Sequence, residues 1–269
     1  MTSLSAYFCF WRASFLTPLA RKRQHWRQKL LAGRDSNPSP VDSGPGRALA
    51  ARKLCEFYTY FHETIRKRDM HYVAANLLNP LTEPEQLSYA ELAGPVMVQW
   101  FVSHCWHNPF PDLVESLRRL ALSLADGDKS WQDVGCWICS FSNNQWRLDI
   151  ELGKGDPMAS SFNLALLSPT CKGTAMILDE NAQALRRSWC LFEVFQTFRL
   201  SAERRDHEGL LMCTPAGVLQ RGVASVDTVV VLAQTLSSIR MEDASASLVE
   251  DKVMIDSCVQ AMEGGFGAV

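Results

Sequence analysis

From residue 96 onward, the sequence alternates short apolar runs with longer segments of helical periodicity. The apolar runs predict strands over residues 96–103, 134–141, 174–178 and 209–213, with a short fifth strand over 238–241. Helical segments follow them at residues 112–124, 160–167, 185–200, 225–236 and 247–262. Successive strand–helix units give parallel strands joined by right-handed crossovers. The pattern therefore predicts an α/β domain, a parallel five-stranded sheet with helices on both faces.

The chain before this domain differs from it in charge. Residues 1–68 hold 13 of the 27 Lys and Arg but only four acids, a balance of +9, whereas the remainder sums to −11. Residues 1–47 predict a basic leader and a Pro/Gly/Ser-rich linker, both disordered. An apolar stripe at Leu54, Tyr58, Phe61 and Ile65 predicts an accessory helical segment over 48–92. The main domain then spans 93–265.

The composition and charge distribution of the chain also indicate where the protein is located and what it binds. Residues 1–34 contain seven Lys and Arg and no acid, a composition typical of an organelle transit segment. The alternatives are a disordered basic leader or sequence wrongly kept in the gene model. Nine scattered cysteines indicate a reduced, intracellular protein, and we expect it in the cytoplasm. No apolar run reaches eighteen residues, so no transmembrane segment is predicted. The basic head on an acidic body argues against nucleic-acid binding by the whole protein.

Two groups of His and Cys residues could bind a metal, but each has a simpler structural interpretation. His104, Cys105 and His107 lie close together, but no second cluster stands at ligand spacing elsewhere, so no metal is predicted. Cys136 and Cys139 form a CxxC inside a predicted strand. Strand residues three apart point to opposite faces, which predicts two core cysteines.

The most unusual local feature is an acidic residue inside an apolar helix. Trp189 and Glu193 are four residues apart and share a helix face. Burying an unpaired carboxylate is costly, so Glu193 should be partnered or functional. The structural alternative is that it pairs with Arg186 or Arg187, or turns to solvent.

Three stretches resemble Toll/interleukin-1 receptor (TIR) domains. Phe101-Val102-Ser103 and the aromatic turn after it are similar to the first strand and loop of that family. Residues 152–156 (Leu-Gly-Lys-Gly-Asp) resemble the tip of its second loop. Residues 188–193 (Ser-Trp-Cys-Leu-Phe-Glu) closely resemble the Ser-x-Trp-Cys-Leu-x-Glu element of plant-type TIR domains.

The resemblance implies a flavodoxin-like sheet that, in catalytic members, cleaves NAD at the nicotinamide–ribose bond. It implies Glu193 as the catalytic carboxylate, with NAD as substrate rather than cofactor. The implied NAD-binding residues are Ser103, His104, Trp106, Asn143, Asn144, Gly155 and Trp189.

Two alternatives to catalysis remain open at this point. Many TIR domains act only as oligomerising adaptors, so self-association through TIR-type surfaces is one, and nucleotide sensing without turnover is the other. Many members also carry an Arg shortly after the Ser of the first strand, where this chain has Cys105, Trp106 and His107. Arg147 and Lys154 are candidates to replace that cationic contact to phosphate.

Overall fold

The computed structural model describes residues 16–125, 130–219, 244–246 and 249–261. The helix predicted over 225–236 and the strand predicted over 238–241 lie outside these residues.

The described chain forms six strands and eleven α-helices. The strands are β1 (Leu49–Ala50), β2 (Trp100–Ser103), β3 (Gly135–Ile138), β4 (Gly173–Ile177), β5 (Leu210–Thr214) and β6 (Gly217–Val218). The helices are α1 (Pro18–Ala32), α2 (Ala51–Ile65), α3 (Met70–Val73), α4 (Asn79–Thr82), α5 (Tyr89–Ala93), α6 (Phe110–Leu124), α7 (Cys139–Ser142), α8 (Leu148–Glu151), α9 (Ser161–Leu167), α10 (Ser188–Glu203) and α11 (Val249–Ala261). A π-helical segment, Ala74–Leu78, joins α3 to α4. None of these helices is long and apolar enough to cross a membrane.

The sheet is mixed rather than all-parallel, and its strand order is β1-β3-β2-β4-β5-β6. The four central strands are parallel, whereas β1 pairs with β3 and β6 pairs with β5 in antiparallel fashion. The prediction of an α/β fold is confirmed, but the prediction of five parallel strands is not. The four long apolar runs gave the central strands, while the two edge strands are only two residues long and leave no periodic signal.

Side chains of the central strands alternate between two hydrophobic clusters. Trp100 and Val102 enter the cluster with α1, α2 and α6, whereas Phe101 enters the cluster with α9, α10 and α11. Val102 of the central strand β2 lies between Ile138 and Ala175 in register. A sheet buried on both faces explains why its strands read as continuous apolar runs.

The prediction that residues 1–47 are disordered is wrong for the described part of that range. Helix α1 begins with a side-chain cap from Thr17 and buries Trp26 and Leu30. The Trp26 indole N–H donates to the Tyr89 hydroxyl at 3.0 Å. The basic composition suggested a solvated leader, but the indole is only 1% exposed and packs in the main core cluster.

A buried ionic cluster holds the linker that follows α1. The Arg47 guanidinium lies 2.5 Å from Glu151 and 3.4 Å from Glu91, and it also donates to the carbonyl oxygen of Val41 at 2.9 Å. Glu91 in turn accepts from the Val41 N–H at 2.7 Å. Removing one partner of such a buried cluster leaves an uncompensated charge, so the cluster fixes the linker on the domain.

Candidate functional site

A cavity of about 300 Å³ opens at the carboxyl ends of β2 and β3. Its lining residues come from the segments after these strands, from α3 and from the start of α10: His71, Val102, His104, Trp106, Cys139, Asn143, Gln145, Leu148, Leu152, Phe162, Arg187, Trp189, Cys190 and Glu193. In parallel α/β sheets, ligands bind at this end of the strands. The cavity is therefore the candidate site.

Glu193 brings an unsatisfied carboxyl group to the cavity. The residue is 8% exposed, and its Oε2 atom has no hydrogen-bond partner within the described residues. Burial raises the pKa of this carboxyl to about 8, although the Ser103 hydroxyl and the Arg187 charge act in the opposite direction. Of the two arginines considered as partners of Glu193, Arg187 lies close enough for its charge to lower the pKa of this carboxyl.

Ser103 lies close to Glu193 but is not part of the cavity lining. It ends β2, is 1% exposed and does not line the cavity. Its hydroxyl lies close enough to lower the pKa of both the Glu193 carboxyl and the Cys190 thiol, though without hydrogen-bonding geometry to a described residue. Ser103 is thus placed to contact Glu193 rather than a ligand.

Trp189 stands one helical turn before Glu193 and lines the same cavity. Its ring meets Phe162 edge-on, with centroids 4.7 Å apart and an interplanar angle of 83°. Phe192 also approaches edge-on, at 6.4 Å. These edge contacts fix the orientation of the indole in the cavity wall.

His104, Trp106 and Cys139 form a contact group on one wall of the cavity. The Trp106 indole N–H donates to the Cys139 Sγ at 3.3 Å, and this Sγ lies 3.6 Å from the His104 Nε2. Burial lowers the pKa of His104 to about 4 and raises that of the Cys139 thiol to about 11. Near neutral pH both groups are uncharged, so this wall offers polarity without charge.

The sequence interpretation of Cys139 needs correction. Strand β3 ends at Ile138, and Cys139 opens the short helix α7 instead of continuing the strand. Its side chain therefore does not follow the strand alternation and lines the cavity, while Cys136 is buried in the sheet as predicted. The polar residues after Phe141 suggested a later strand end than the structure has.

Asn143 contributes a second unsatisfied group. It is 6% exposed, lines the cavity, and its Oδ1 has no described hydrogen-bond partner. Asn144 does not line the cavity, because its amide donates to the Gln86 carbonyl oxygen at 2.8 Å and its Oδ1 accepts from the Trp146 N–H. The two adjacent asparagines, both predicted to bind NAD, thus have different placements, and of the two only Asn143 lines the cavity.

Gly155, which was also predicted to bind NAD, is not among the residues that line the cavity. It ends a 3-10 turn over Gly153–Gly155 with φ +93°, and a side chain there would meet open space. It borders instead a surface depression with Val249 and Val253 of α11. Glycine suits this position because a positive φ is strained for residues that have a Cβ atom.

The cavity lining includes a histidine and an arginine that were not assigned to a site from the sequence. His71 comes from α3, in the segment predicted to be only accessory, and Arg187 was weighed only as a structural partner of Glu193. Both lie near the other polar groups, since the Arg187 charge lowers the pKa of His71, His104 and Glu193. Neither stands in a motif, so only the folded arrangement reveals them.

Comparison with family models, curated proteins and solved structures gives no match to this chain. Within the described residues, no three His, Cys, Asp or Glu side chains come together as a metal site. The chemistry of the site therefore has to be inferred from its own groups. These are a buried carboxyl, an aromatic ring, an amide oxygen without a described partner and a nearby guanidinium around an apolar space.

Proposed function

We propose that the cavity binds the nicotinamide end of NAD and hydrolyses the bond between nicotinamide and ribose. The observation that carries the proposal is the buried Glu193 carboxyl with an unpartnered oxygen, one turn from Trp189 in the same cavity. A buried polar group without a partner is expected to be satisfied by a ligand or to act in chemistry. The resemblance of residues 188–193 to TIR domains supports the same assignment.

The cavity groups match the ligand one by one. Ribose hydroxyls are donors for the free oxygen of Glu193, and the carboxamide N–H of nicotinamide is a donor for the Asn143 Oδ1. Trp189 is the aromatic residue of the cavity lining that we assign to the cationic pyridinium ring, since cations are attracted to indole rings. At about 300 Å³ the cavity is at the small end of ligand sites, large enough for nicotinamide and its ribose but not for the whole dinucleotide.

The reaction requires little from the protein besides charge and placement. The bond from ribose C1′ to the ring nitrogen breaks, and its electrons neutralise the pyridinium, so the leaving group needs no proton. The sugar passes through an oxocarbenium-like state, as in glycoside hydrolysis. A fixed carboxylate beside C1′ stabilises that positive charge. Water then adds to C1′ and releases one proton.

The raised pKa of Glu193 fits a cationic substrate. With a pKa of about 8, the carboxyl is mostly protonated at pH 7 before a substrate binds. A bound pyridinium cation favours the ionised form of a nearby carboxyl. Substrate binding thus helps to create the charge that the transition state needs.

We propose a flavodoxin-like assignment for the sheet as well. The four central strands run in the order second, first, third, fourth along the chain, counted from β2. This is the beginning of the flavodoxin-like order 2-1-3-4-5, whose ligand site lies beside the first strand, where the order reverses. The cavity borders the end of β2, which is that first strand.

The alternative function is a non-catalytic oligomerisation or adaptor module. The feature that favours it is a group of large apolar side chains on and just before α8, where Trp146, Leu148 and Ile150 are 37%, 43% and 43% exposed. Exposed apolar patches of this kind mark interaction surfaces. Self-association there also places Leu148, a cavity residue, at the contact between copies.

One assay separates the two functions. The purified chain is incubated with NAD over a wide range of protein concentrations, and free nicotinamide is measured. Nicotinamide release per protein molecule supports the hydrolase, and a rise of that rate with concentration shows that assembly completes the site. Assembly without any release, at concentrations where the protein is fully self-associated, supports the adaptor.

A further inference from the structure

A second concave surface lies next to the cavity. It is lined by the consecutive residues 66–69 together with Tyr72, His107 and Pro109, and encloses about 700 Å³. We call it the basic groove, because residues 66–68 are Arg-Lys-Arg. All three basic side chains are exposed. Among the described residues, the acidic side chain in the groove lining is that of Asp69.

The described acidic side chains near the basic groove do not cancel its positive charge. The Asp69 carboxylate accepts the N–H of Tyr72 as the cap of α3, 2.9 Å away. Arg66 has one described ion pair, a 3.7 Å contact to Glu63 on its own helix. The Arg68 guanidinium sits over the Tyr72 ring, 4.6 Å from the centroid. Stacking of this kind holds a guanidinium in place while its N–H groups stay available to a phosphate.

The basic groove and the cavity share a border. His71 lines the cavity and His107 lines the basic groove, and their ring centroids are 4.6 Å apart. Two backbone hydrogen bonds fix the segments on either side. The Met70 N–H donates to the Trp106 carbonyl oxygen at 3.0 Å, and the Phe110 N–H donates to the Arg68 carbonyl oxygen at 2.8 Å. The cations of the basic groove therefore lie beside the His71 edge of the cavity.

The positions first considered for a phosphate contact do not border the cavity. Neither Arg147 nor Lys154 is among its lining residues. The cavity is also too small for the pyrophosphate and second nucleoside of NAD, so this half of the molecule must lie outside. A pyrophosphate needs charge-assisted donors, which arginine and lysine provide.

We propose that the basic groove binds the pyrophosphate of a dinucleotide whose nicotinamide end occupies the cavity. This assignment rests on the proposed function for the choice of dinucleotide, but its ligand chemistry, a diphosphate diester, can be tested without turnover. It gives the segment before residue 93 a role in binding. It also supplies the cationic contact that the loop after β2 lacks.

The test uses ADP-ribose, which carries the pyrophosphate but no nicotinamide, with binding measured by calorimetry. The variant is the triple substitution Arg66→Gln, Lys67→Gln and Arg68→Gln, at three exposed positions. The matched control removes three positive charges elsewhere, by Arg118→Gln, Arg119→Gln and Arg199→Gln, none of which lines the cavity or the groove. Thermal unfolding of each variant checks that it folds.

We expect the groove variant to bind ADP-ribose at least tenfold more weakly than the unsubstituted chain, and the control to bind within twofold of it. Binding should also weaken as salt is raised, since the charges are exposed. Equal binding by the groove variant, or no binding of ADP-ribose by the unsubstituted chain at millimolar concentration, overturns the proposal.

A second test of the basic groove measures hydrolysis of two substrates by the groove variant. If the chain hydrolyses NAD, the groove variant should raise KM for NAD at least tenfold while its rate on nicotinamide riboside, which has no phosphate, stays unchanged. An equal loss on both substrates contradicts a phosphate role. If NAD is not hydrolysed at all but the groove variant still loses ADP-ribose binding, the hydrolase proposal fails and the phosphate site stands.

Discussion

The Thr197 hydroxyl donates to the backbone carbonyl oxygen of Glu193 at 2.7 Å and lies 2.6 Å from the Thr174 hydroxyl on β4. A hydroxyl has one proton to donate, so Thr174 must be the donor in the second bond. The helix turn that carries Glu193 is thereby tied to the central sheet. A carboxyl group held by such rigid elements keeps its position when the cavity is occupied.

The first prediction concerns the stability of the folded protein. Glu193 ionises near its ordinary pKa of 4.5 in the unfolded chain but only at about 8 in the folded one. The stability contributed by this group is therefore complete below pH 4.5 and is lost as the pH rises toward 8. Glu193→Gln cannot ionise, so it should be more stable than the original chain by on the order of 3 kcal/mol at pH 7.

Thermal unfolding at several pH values checks this prediction. The Tm advantage of Glu193→Gln should be large at pH 7 to 8 and should disappear near pH 4.5. The control is Glu203→Gln, at a position 60% exposed on the same helix, where no such pH-dependent advantage is expected. A Tm difference that stays constant with pH means that the Glu193 carboxyl is not held neutral by burial.

The second prediction is the pH dependence of catalysis. If the ionised carboxylate stabilises the sugar cation, kcat/KM for NAD should rise about tenfold per pH unit and level off above pH 8, since this ratio reports groups of the free enzyme. His104 should not shape the profile in this range, because its pKa is about 4. Initial rates from pH 6 to 9 provide the measurement. A flat or falling profile assigns the reaction to other groups.

The third prediction uses Cys139 as a reporter of occupancy. Its thiol lines the cavity, so NAD or ADP-ribose should slow its alkylation by iodoacetamide at least several-fold. The reaction itself should be slow and should accelerate with pH, because the thiol pKa is raised to about 11. Mass spectrometry of the labelled peptides gives the rate, with the partly exposed Cys55 as an internal control. Equal protection of both cysteines, or of neither, argues against binding in this cavity.

The fourth prediction tests the attachment of the N-terminal helix. Trp26 is 1% exposed and hydrogen-bonds to Tyr89, so Trp26→Ala should lower the free energy of unfolding by about 3–5 kcal/mol. Trp146→Ala, at a position 37% exposed, should cost clearly less. Denaturant unfolding of the two variants makes the comparison. Equal, small effects would show that α1 does not share the core.

Much of the fold follows from patterns that the sequence displays. The central strands are mostly apolar because both faces of the sheet are covered, as with Phe101 and Val102 on opposite faces. The edge strand β1 is two residues long and has no period to detect. Helix α1 was missed because its buried face rests on Trp26 and Leu30 amid basic residues, a stripe too narrow to outweigh the composition.

The residues of the candidate site also differ in whether they could be predicted from the sequence. Trp189 and Glu193 could be paired from helical spacing alone, because both lie on one face of one helix. His71 and Cys139 could not, because their places depend on how α3 packs against the loop after β2 and on where β3 ends. The contrast between Asn143 and Asn144 depends on one tertiary hydrogen bond to Gln86.

The most direct test compares nicotinamide release from NAD by the original chain, by Glu193→Gln and by Glu203→Gln at the same protein concentration. The account predicts turnover by the original chain and by Glu203→Gln, and a loss of at least a hundredfold for Glu193→Gln with NAD still bound. Undiminished release by Glu193→Gln, or no release by the original chain at any concentration, would contradict it.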